Sequence, residues 1–360
     1  MKFKSGQTIA TIFFSLLVSC VGNKGETAVE TENLTSEIFV KSDNLVMPSF
    51  MTAAGDGLLV TNMSKADTLL NYYNRDGLPA GAFLPNGEGD KEALWLRTIQ
   101  YDANTGDAYC SDIDKNVLFR ISGITSERSA VSKVFSRPSS EGDSLQIPGK
   151  YLWFKNFILG YNASMAGMFA VFSPDGKLIG TEVQYPDKSL VDDGLTEWAN
   201  IQLYQPNLSV NDKGDFGVVT FSDSGMMVLI SDNDGKPDFK IIDGAAPNDI
   251  FLVQSGPDFV QGARTKDSRT HAISSSAGRE HAYVLYSGKT SEELYDSEYY
   301  KTAHLYGSPE VKVYDKDGKE VRRLHLDRWV HQIAVSPDEN WLYAITDTPN
   351  DGEIIVRYGL

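Results

Sequence analysis

The sequence predicts an all-β fold, a six-bladed β-propeller, and three observations carry that prediction. From Glu37 onward the chain is a succession of short apolar or alternating runs with no sustained helical period. Turns of one kind separate the runs: Tyr73-Asn-Arg-Asp-Gly77, Phe172-Ser-Pro-Asp-Gly176, Ser231-Asp-Asn-Asp-Gly235 and Tyr314-Asp-Lys-Asp-Gly318. In each, an Asx residue and a glycine supply the positive φ that tight hairpins need. The unit of inner strand, turn, middle strand, third strand and closing turn then recurs six times. Its copies run approximately Phe50–Gly77, Ile99–Gly123, Phe157–Gly176, Leu208–Gly235, Ile273–Gly318 and Ile333–Tyr358. A multi-strand repeat of about fifty residues is the pattern of blades stacked around an axis.

The chain divides into residues 1–19, 20–36 and 37–360. Lys2 and Lys4 precede an apolar segment, Ile9–Val18, that is too short to span a bilayer and has the form of a signal peptide. It ends in Leu17-Val18-Ser19-Cys20, which resembles the lipobox of bacterial lipoproteins. The resemblance implies cleavage before Cys20 and acylation of that residue, and two or three acyl chains anchor stably where one does not. Val21–Ser36 is polar, acidic and without apolar period, so it is expected to be a flexible tether. Glu37–Lys41 reads as a strand lying ahead of the first full unit. The last unit ends after its third strand, so this N-terminal strand is expected to complete it and close the ring, leaving no unpaired edge there. Two insertions break the rhythm: 186–204, with a short helix expected near Leu190–Trp198, and 287–308, charged and rich in tyrosine. Long loops on a compact propeller are either lids or solvated decoration.

Composition excludes several classes of function. A chain of 360 residues with 41% hydrophobic and 11% aromatic residues can bury a large core. Its formal charge of −16, without a basic cluster, argues against nucleic acid as a partner. Of the two cysteines, Cys110 lies in a strand-like run and is expected to be a buried apolar residue. HExxH, GxSxG, P-loop and Cys/His ligand motifs are all absent, so no cofactor and no metal site are expected. Asp232–Gly235 is read as a hairpin turn and not as a calcium loop.

One repeated pattern is a candidate site. The first apolar residues of the six inner strands are taken as Phe50, Ile99, Phe157, Leu208, Ile273 and Ile333. Two residues earlier stand Arg97, Lys155, His271 and His331 in four of the units; four residues earlier stand Trp95, Trp153 and Trp329 in three. A spacing of two puts such residues on one side of an extended segment. They are expected to gather at one mouth of the channel, where cations form an anion site and indoles stack on a sugar or hold a cation. The alternative is packing, each Trp wedged between blades and each basic group bonded to a neighbouring blade.

With lipobox and blade units together, the chain resembles the TolB-like six-bladed propeller lipoproteins of bacteria. Leu78–Asp90 is similar to the Gly-rich link that follows the first blade in that family, although its Gly-Pro-Glu element stands here as Gly89-Asp90-Lys91-Glu92. The resemblance implies a fold and an address, the cell envelope and its outer membrane, with attachment through Cys20. It implies no reaction, because propellers host unrelated functions. The expected role is a non-enzymatic binding or scaffold module for a protein, peptide or glycan. The alternative is a channel-centred enzyme, lactonase- or lyase-like, for which His271 and His331 would be the candidate bases.

Overall fold

The computed structural model describes residues 29–63, 66–126, 128–136, 150–161, 167–185, 203–242, 250–254, 260–349 and 352–360. The expected signal segment, Cys20 and the helix expected near Leu190–Trp198 lie outside these residues. Blade 1 consists of Pro48–Ala54, Gly57–Asn62, Thr68–Tyr73 and Pro79–Pro85. Blade 2 consists of Leu96–Asp102, Asp107–Asp112, Val117–Ser122 and Ala130–Ser136. Lys150–Trp153, Ile158–Tyr161, Phe169–Phe172 and Leu178–Glu182 form blade 3, and Pro206–Val210, Phe216–Phe221, Met227–Asn233 and Lys236–Ile242 form blade 4. Blade 5 has Arg269–Ala277, His281–Thr290, Ser308–Asp315 and Glu320–Val330; blade 6 has Gln332–Val335, Trp341–Thr348 and Gly352–Gly359. Within these sets every neighbouring pair is antiparallel.

The core is a ring of slabs, not a ball. Second strands such as Gly57–Asn62, Asp107–Asp112 and Phe216–Phe221 are buried at every position because both faces of the sheet are covered. Alternate residues then serve opposite neighbours. Ala108 and Cys110 pack with blade 1 residues such as Leu59 and Leu70, while Tyr109 packs with Tyr151 and Ile158 of blade 3. Leu152 and Phe157 join Val219 and Phe221 between blades 3 and 4, and Phe216 and Val218 join Ala282 and Val284 between blades 4 and 5. Tyr283 and Leu285 meet Leu342 and Ala344 between blades 5 and 6. The sixth slab joins blades 6 and 1 through Phe39, Val40, Met51, Val60, Tyr343 and Ile345. Cys110 is fully buried, and desolvation pushes its thiol up, so it stays a protonated apolar filler.

Ring closure follows the expectation. Glu37–Val40 pairs antiparallel with Gly352–Gly359 as the outer strand of blade 6. Gly77, at φ +73°, lets the blade 1 turn press on this strand, because a Cβ there would lie 1.8 Å from the Phe39 carbonyl oxygen.

Three features differ from the sequence expectations. Within the expected tether, Thr31–Leu34 forms a strand parallel to the outer strand of blade 5, held by Arg322 on Glu32 (2.8 and 3.0 Å). Four residues with one apolar side chain are too few to show a period. A further hairpin, Ile250–Gln254 with Val260–Arg264, stands between blades 4 and 5. Blade 3 is the third difference: its inner strand is Lys150–Trp153, and Phe157 leads into the second strand. The turn between them is closed by Phe154 N–H on the Phe157 carbonyl (2.9 Å) and contains no glycine. The two strands therefore read as one in the sequence.

The insertion 287–308 carries two short helices, α1 (Ser291–Tyr295) and α2 (Glu298–Ala303). Thr290 and Glu293 form a capping box on α1, each side chain accepting from the other's backbone N–H. Asp232–Gly235 is the expected hairpin turn, with positive φ at Asp234 (52°) and Gly235 (86°).

Blades 5 and 6 are clasped by one carboxylate. Glu339 accepts hydrogen bonds from the backbone N–H groups of Glu280 (2.6 Å) and His281 (3.2 Å) and from the Tyr283 hydroxyl (3.0 Å), and its other contact is His281 Nδ1 (2.6 Å). Burial alone would raise its pKa, but the donors outweigh burial and hold it below the ordinary 4.5.

Two expectations for stability follow from this architecture. Phe39→Ala should cost about 3 kcal/mol, as truncation of a buried Phe does, and Ile38→Ala, on the solvent side of the same strand, no more than about 0.5 kcal/mol. Urea unfolding of both variants checks this, and equal losses would mean that Phe39 does not anchor the closure. Because the folded-state value of Glu339 is depressed, its contribution is complete above the unfolded value and disappears as pH falls through the folded one. Glu339→Gln should therefore unfold at lower urea than the parent at pH 7, with the gap narrowing as pH drops below about 4.5.

Candidate functional site

The inner strands of all six blades converge on a cavity of about 170 Å³ at the end of the ring where those strands begin. Its wall takes Phe50 and Met51 from blade 1, Arg97–Ile99 from blade 2, Lys150 from blade 3 and Gln205–Ser209 with Ser222 from blade 4. Ser274 and Ser275 of blade 5 and Gln332 and Ile333 of blade 6 complete it. The wall is polar because neighbouring inner strands are joined by side chains. Thr98 donates to the Tyr151 carbonyl (2.8 Å), Ser222 to the Ala272 carbonyl (2.7 Å), and Ser274 to the Gln332 amide oxygen. Toward the other end, the turns of blades 2 and 4 meet directly. Ala103 N–H donates to the Asp212 carbonyl (2.8 Å), and Asn104 Nδ2 to the Lys213 carbonyl (3.2 Å), in front of the short inner strand of blade 3.

Two cations face the cavity, and among the described residues no carboxylate lines it. Arg97 lies with its guanidinium carbon 4.2 Å from the Trp95 ring centroid and 6.0 Å from that of Phe50. Its Nε has no hydrogen-bond partner among the described residues, and burial lowers its pKa. Lys150 donates from Nζ to the Pro206 carbonyl (3.1 Å). The residue keeps partial exposure, but its ammonium is desolvated. Desolvation first, and the charge of Arg97 second, push its pKa down to about 7. Asn207 Nδ2 and Ser275 Oγ also lack partners among the described residues, and Ser275 is only 8% exposed. Buried polar atoms are normally satisfied, so three such groups in one wall mark a place where something polar binds.

The pattern read in the sequence is only partly assembled. Trp95 and Arg97 are brought to the cavity mouth as expected. Trp153 and Lys155 are not: Trp153 ends the inner strand of blade 3 and Lys155 follows it, where the pattern had both precede it. Trp153 stacks on Tyr109 at 4.8 Å, and Lys155 lies by the turns at the opposite end, near Asp215, Asp232 and Asp234. The blade 3 counterpart of Arg97 is Lys150, hidden because Phe157–Tyr161 is the stronger apolar run. His271 is displaced from the cavity by register shifts on both sides of Ala272, which turn its buried ring toward Tyr286 instead.

His331 and Trp329 belong to a second pocket, of about 790 Å³, between blades 5 and 6 and the inserted helices. Trp329 forms part of its wall with Tyr299 and Asp347, and Lys289 sits 4.2 Å from the Trp329 ring centroid. His331 lies behind, bonded through Nδ1 to the Tyr299 hydroxyl (2.7 Å). Burial pushes its pKa down to about 4, so it is neutral at pH 7. The two histidines do not meet in the channel cavity, since neither lines it.

No family model and no curated protein matches the chain. Solved structures do match in fold. A gluconolactonase of Xanthomonas campestris aligns at a TM-score of 0.50 and 11% identity, covering 90% of this chain and 89% of its own. A candidate exported protein of Bacteroides fragilis aligns at 0.51 and 9% identity, covering 91% and 94%. Raptor of Chaetomium thermophilum aligns at 0.50 and 14% identity over 92% of this chain, which spans 29% of Raptor. At such identities the likeness is one of fold: the chain is a six-bladed β-propeller.

Proposed function

We propose that the protein is a lipid-anchored binding module of the bacterial cell envelope whose channel cavity takes a carboxylate-bearing ligand, either a small organic acid or the acidic end of a glycan or peptide. One observation carries this: Arg97 and Lys150 face a 170 Å³ cavity to whose wall the described residues contribute no carboxylate. Desolvation of two cations is costly in the empty site, where only Asp114, outside the wall, offsets the charge of Arg97, and an anion relieves that cost. The unpartnered Arg97 Nε and Asn207 Nδ2 supply donors, and Ser275 Oγ a hydroxyl. The anchor is supported by the basic leader, the apolar segment and Leu17-Val18-Ser19-Cys20. Among the described residues no helix is long and apolar enough to cross a membrane. Cys20 acylation is tested by metabolic labelling with a fatty-acid analogue, which should be lost in Cys20→Ser.

A hydrolytic role has one observation in its favour, the fold shared with a gluconolactonase. The donor set does not fit a divalent cation in this cavity: it offers amide and hydroxyl oxygens only and sets the ion against Arg97 and Lys150.

Protein starting after Cys20, titrated by calorimetry with small carboxylates and with neutral sugars, should bind the former. Arg97→Ala should weaken binding about tenfold or more, the scale of losing hydrogen bonds to a charged group, and Trp329→Ala should leave it unchanged. Unchanged affinity with a lower melting temperature in Arg97→Ala would show that Arg97 serves packing. Affinity should also depend on pH. Lys150 is a base with a depressed folded-state pKa, so it is charged below about 7 and neutral above. A bound anion favours the charged form, and binding should weaken as pH rises through about 7, a slope that Lys150→Gln should abolish.

A further inference from the structure

We infer that Lys150 is a nucleophile and that the channel cavity captures a 2-oxo acid as an imine, with the carboxylate held by Arg97. The inference rests on the anion-binding reading and adds a covalent step to it. Among the described residues Lys150 is the only lysine lining the cavity, and it enters the wall from the start of its strand with its nitrogen on the Pro206 carbonyl (3.1 Å). No carboxylate among the described residues of the wall holds its charge. A desolvated lysine beside a second cation is the arrangement that leaves an amine free to attack a carbonyl at neutral pH, and a large share of Lys150 is unprotonated there. An acid paired with the amine would have kept it an inert ammonium.

The cavity suits a small substrate. Its 170 Å³ is close to the volume that encloses a six-carbon ring, so a ligand that fills it touches Arg97 and Lys150 together. The carboxylate of a 2-oxo acid lies next to its carbonyl carbon, so binding at Arg97 brings that carbon toward Lys150. The amine adds to the carbonyl carbon to give a carbinolamine. Loss of water, which carries the carbonyl oxygen and both amine hydrogens, gives the imine. No oxidant or reductant is consumed, and the step reverses by hydrolysis. The hydroxyls of Ser274 and Ser275 and the amide of Gln332 are the wall groups that can pass protons to and from the departing oxygen.

The test is reductive trapping. The protein is incubated with pyruvate and sodium cyanoborohydride, then weighed intact and mapped by peptide mass spectrometry; lactate serves as the carboxylate without a carbonyl. The expected result is one adduct per chain, at Lys150, with pyruvate only. Lys150→Arg, which keeps the charge and cannot form an imine, should give no adduct with pyruvate. Arg97→Ala should lower the trapping rate at Lys150 about tenfold or more. Label spread over surface lysines, or undiminished in Lys150→Arg, overturns the inference. Calorimetric binding of pyruvate and lactate with equal affinity and no adduct overturns it while leaving the anion site standing. Failure of both acids to bind, with no adduct, removes both.

Discussion

The whole structure depends on sheets that are apolar on both faces. Such a sheet cannot rest against solvent on either side, so each blade needs two neighbours, and the only finite arrangement in which every blade has two is a closed ring. The apolar clusters fall accordingly, one to each junction between blades, including the junction of the last with the first. The N-terminal strand Glu37–Val40 is where this constraint acts on the backbone. Without it, Gly352–Gly359 would be an open edge, and Phe39 and Val40 would be missing from the slab that seals the circle.

The same constraint fixes the character of the axis. Apolar side chains are drawn into the junctions, so what remains at the inner strands is what neighbouring strands use to reach each other: Thr98, Ser209, Ser222, Ser274 and Gln332. Most of these hydroxyls and amides bind a group of the adjacent blade and are structural. Lys150 also reaches across, to the Pro206 carbonyl of blade 4, but it and Arg97 are cations with no acid beside them among the described wall residues. Packing accounts for Arg97 only as far as its stack on Trp95, and the free Nε is left over. A cation is an expensive way to fill space between strands when Thr or Gln would serve, and here there are two.

Most of the fold was legible from residue pattern. Asp-Gly turns marked hairpins, and inner-strand anchors Phe50, Ile99, Leu208, Ile273 and Ile333 do lie on inner strands. The site was legible in blade 2, where Arg97 lines the cavity with Trp95 stacked on it although the strand pairing shifts between Leu96 and Thr98. Blade 5 carries shifts on both sides of Ala272, each of which exchanges the faces of the residues beyond it, and so His271 faces Tyr286. In blade 3 a turn without glycine hid the boundary between two short strands, and the reading slid from Lys150 to Lys155, across the full height of the ring. Bulges and glycine-free turns are set by packing between blades, which no local period records.

The resemblance among Trp95-x-Arg97, Trp153-x-Lys155 and Trp329-x-His331 is therefore one of spelling, and each pair solves a different problem. Trp95 braces a guanidinium that faces the channel cavity. Trp153 stacks on Tyr109 and fills a junction between blades. Trp329 ends an outer strand and lines a pocket roofed by α1 and α2, with His331 kept neutral behind it. Repetition in a propeller is inherited by the strands, whose geometry must match from blade to blade. Chemistry is under no such demand, because a ligand on the axis meets each blade once and from a different side. Lys150 of blade 3 and Arg97 of blade 2 are thus a better pointer to function than any motif that recurs around the ring, since among the described residues no carboxylate lines the cavity that they face.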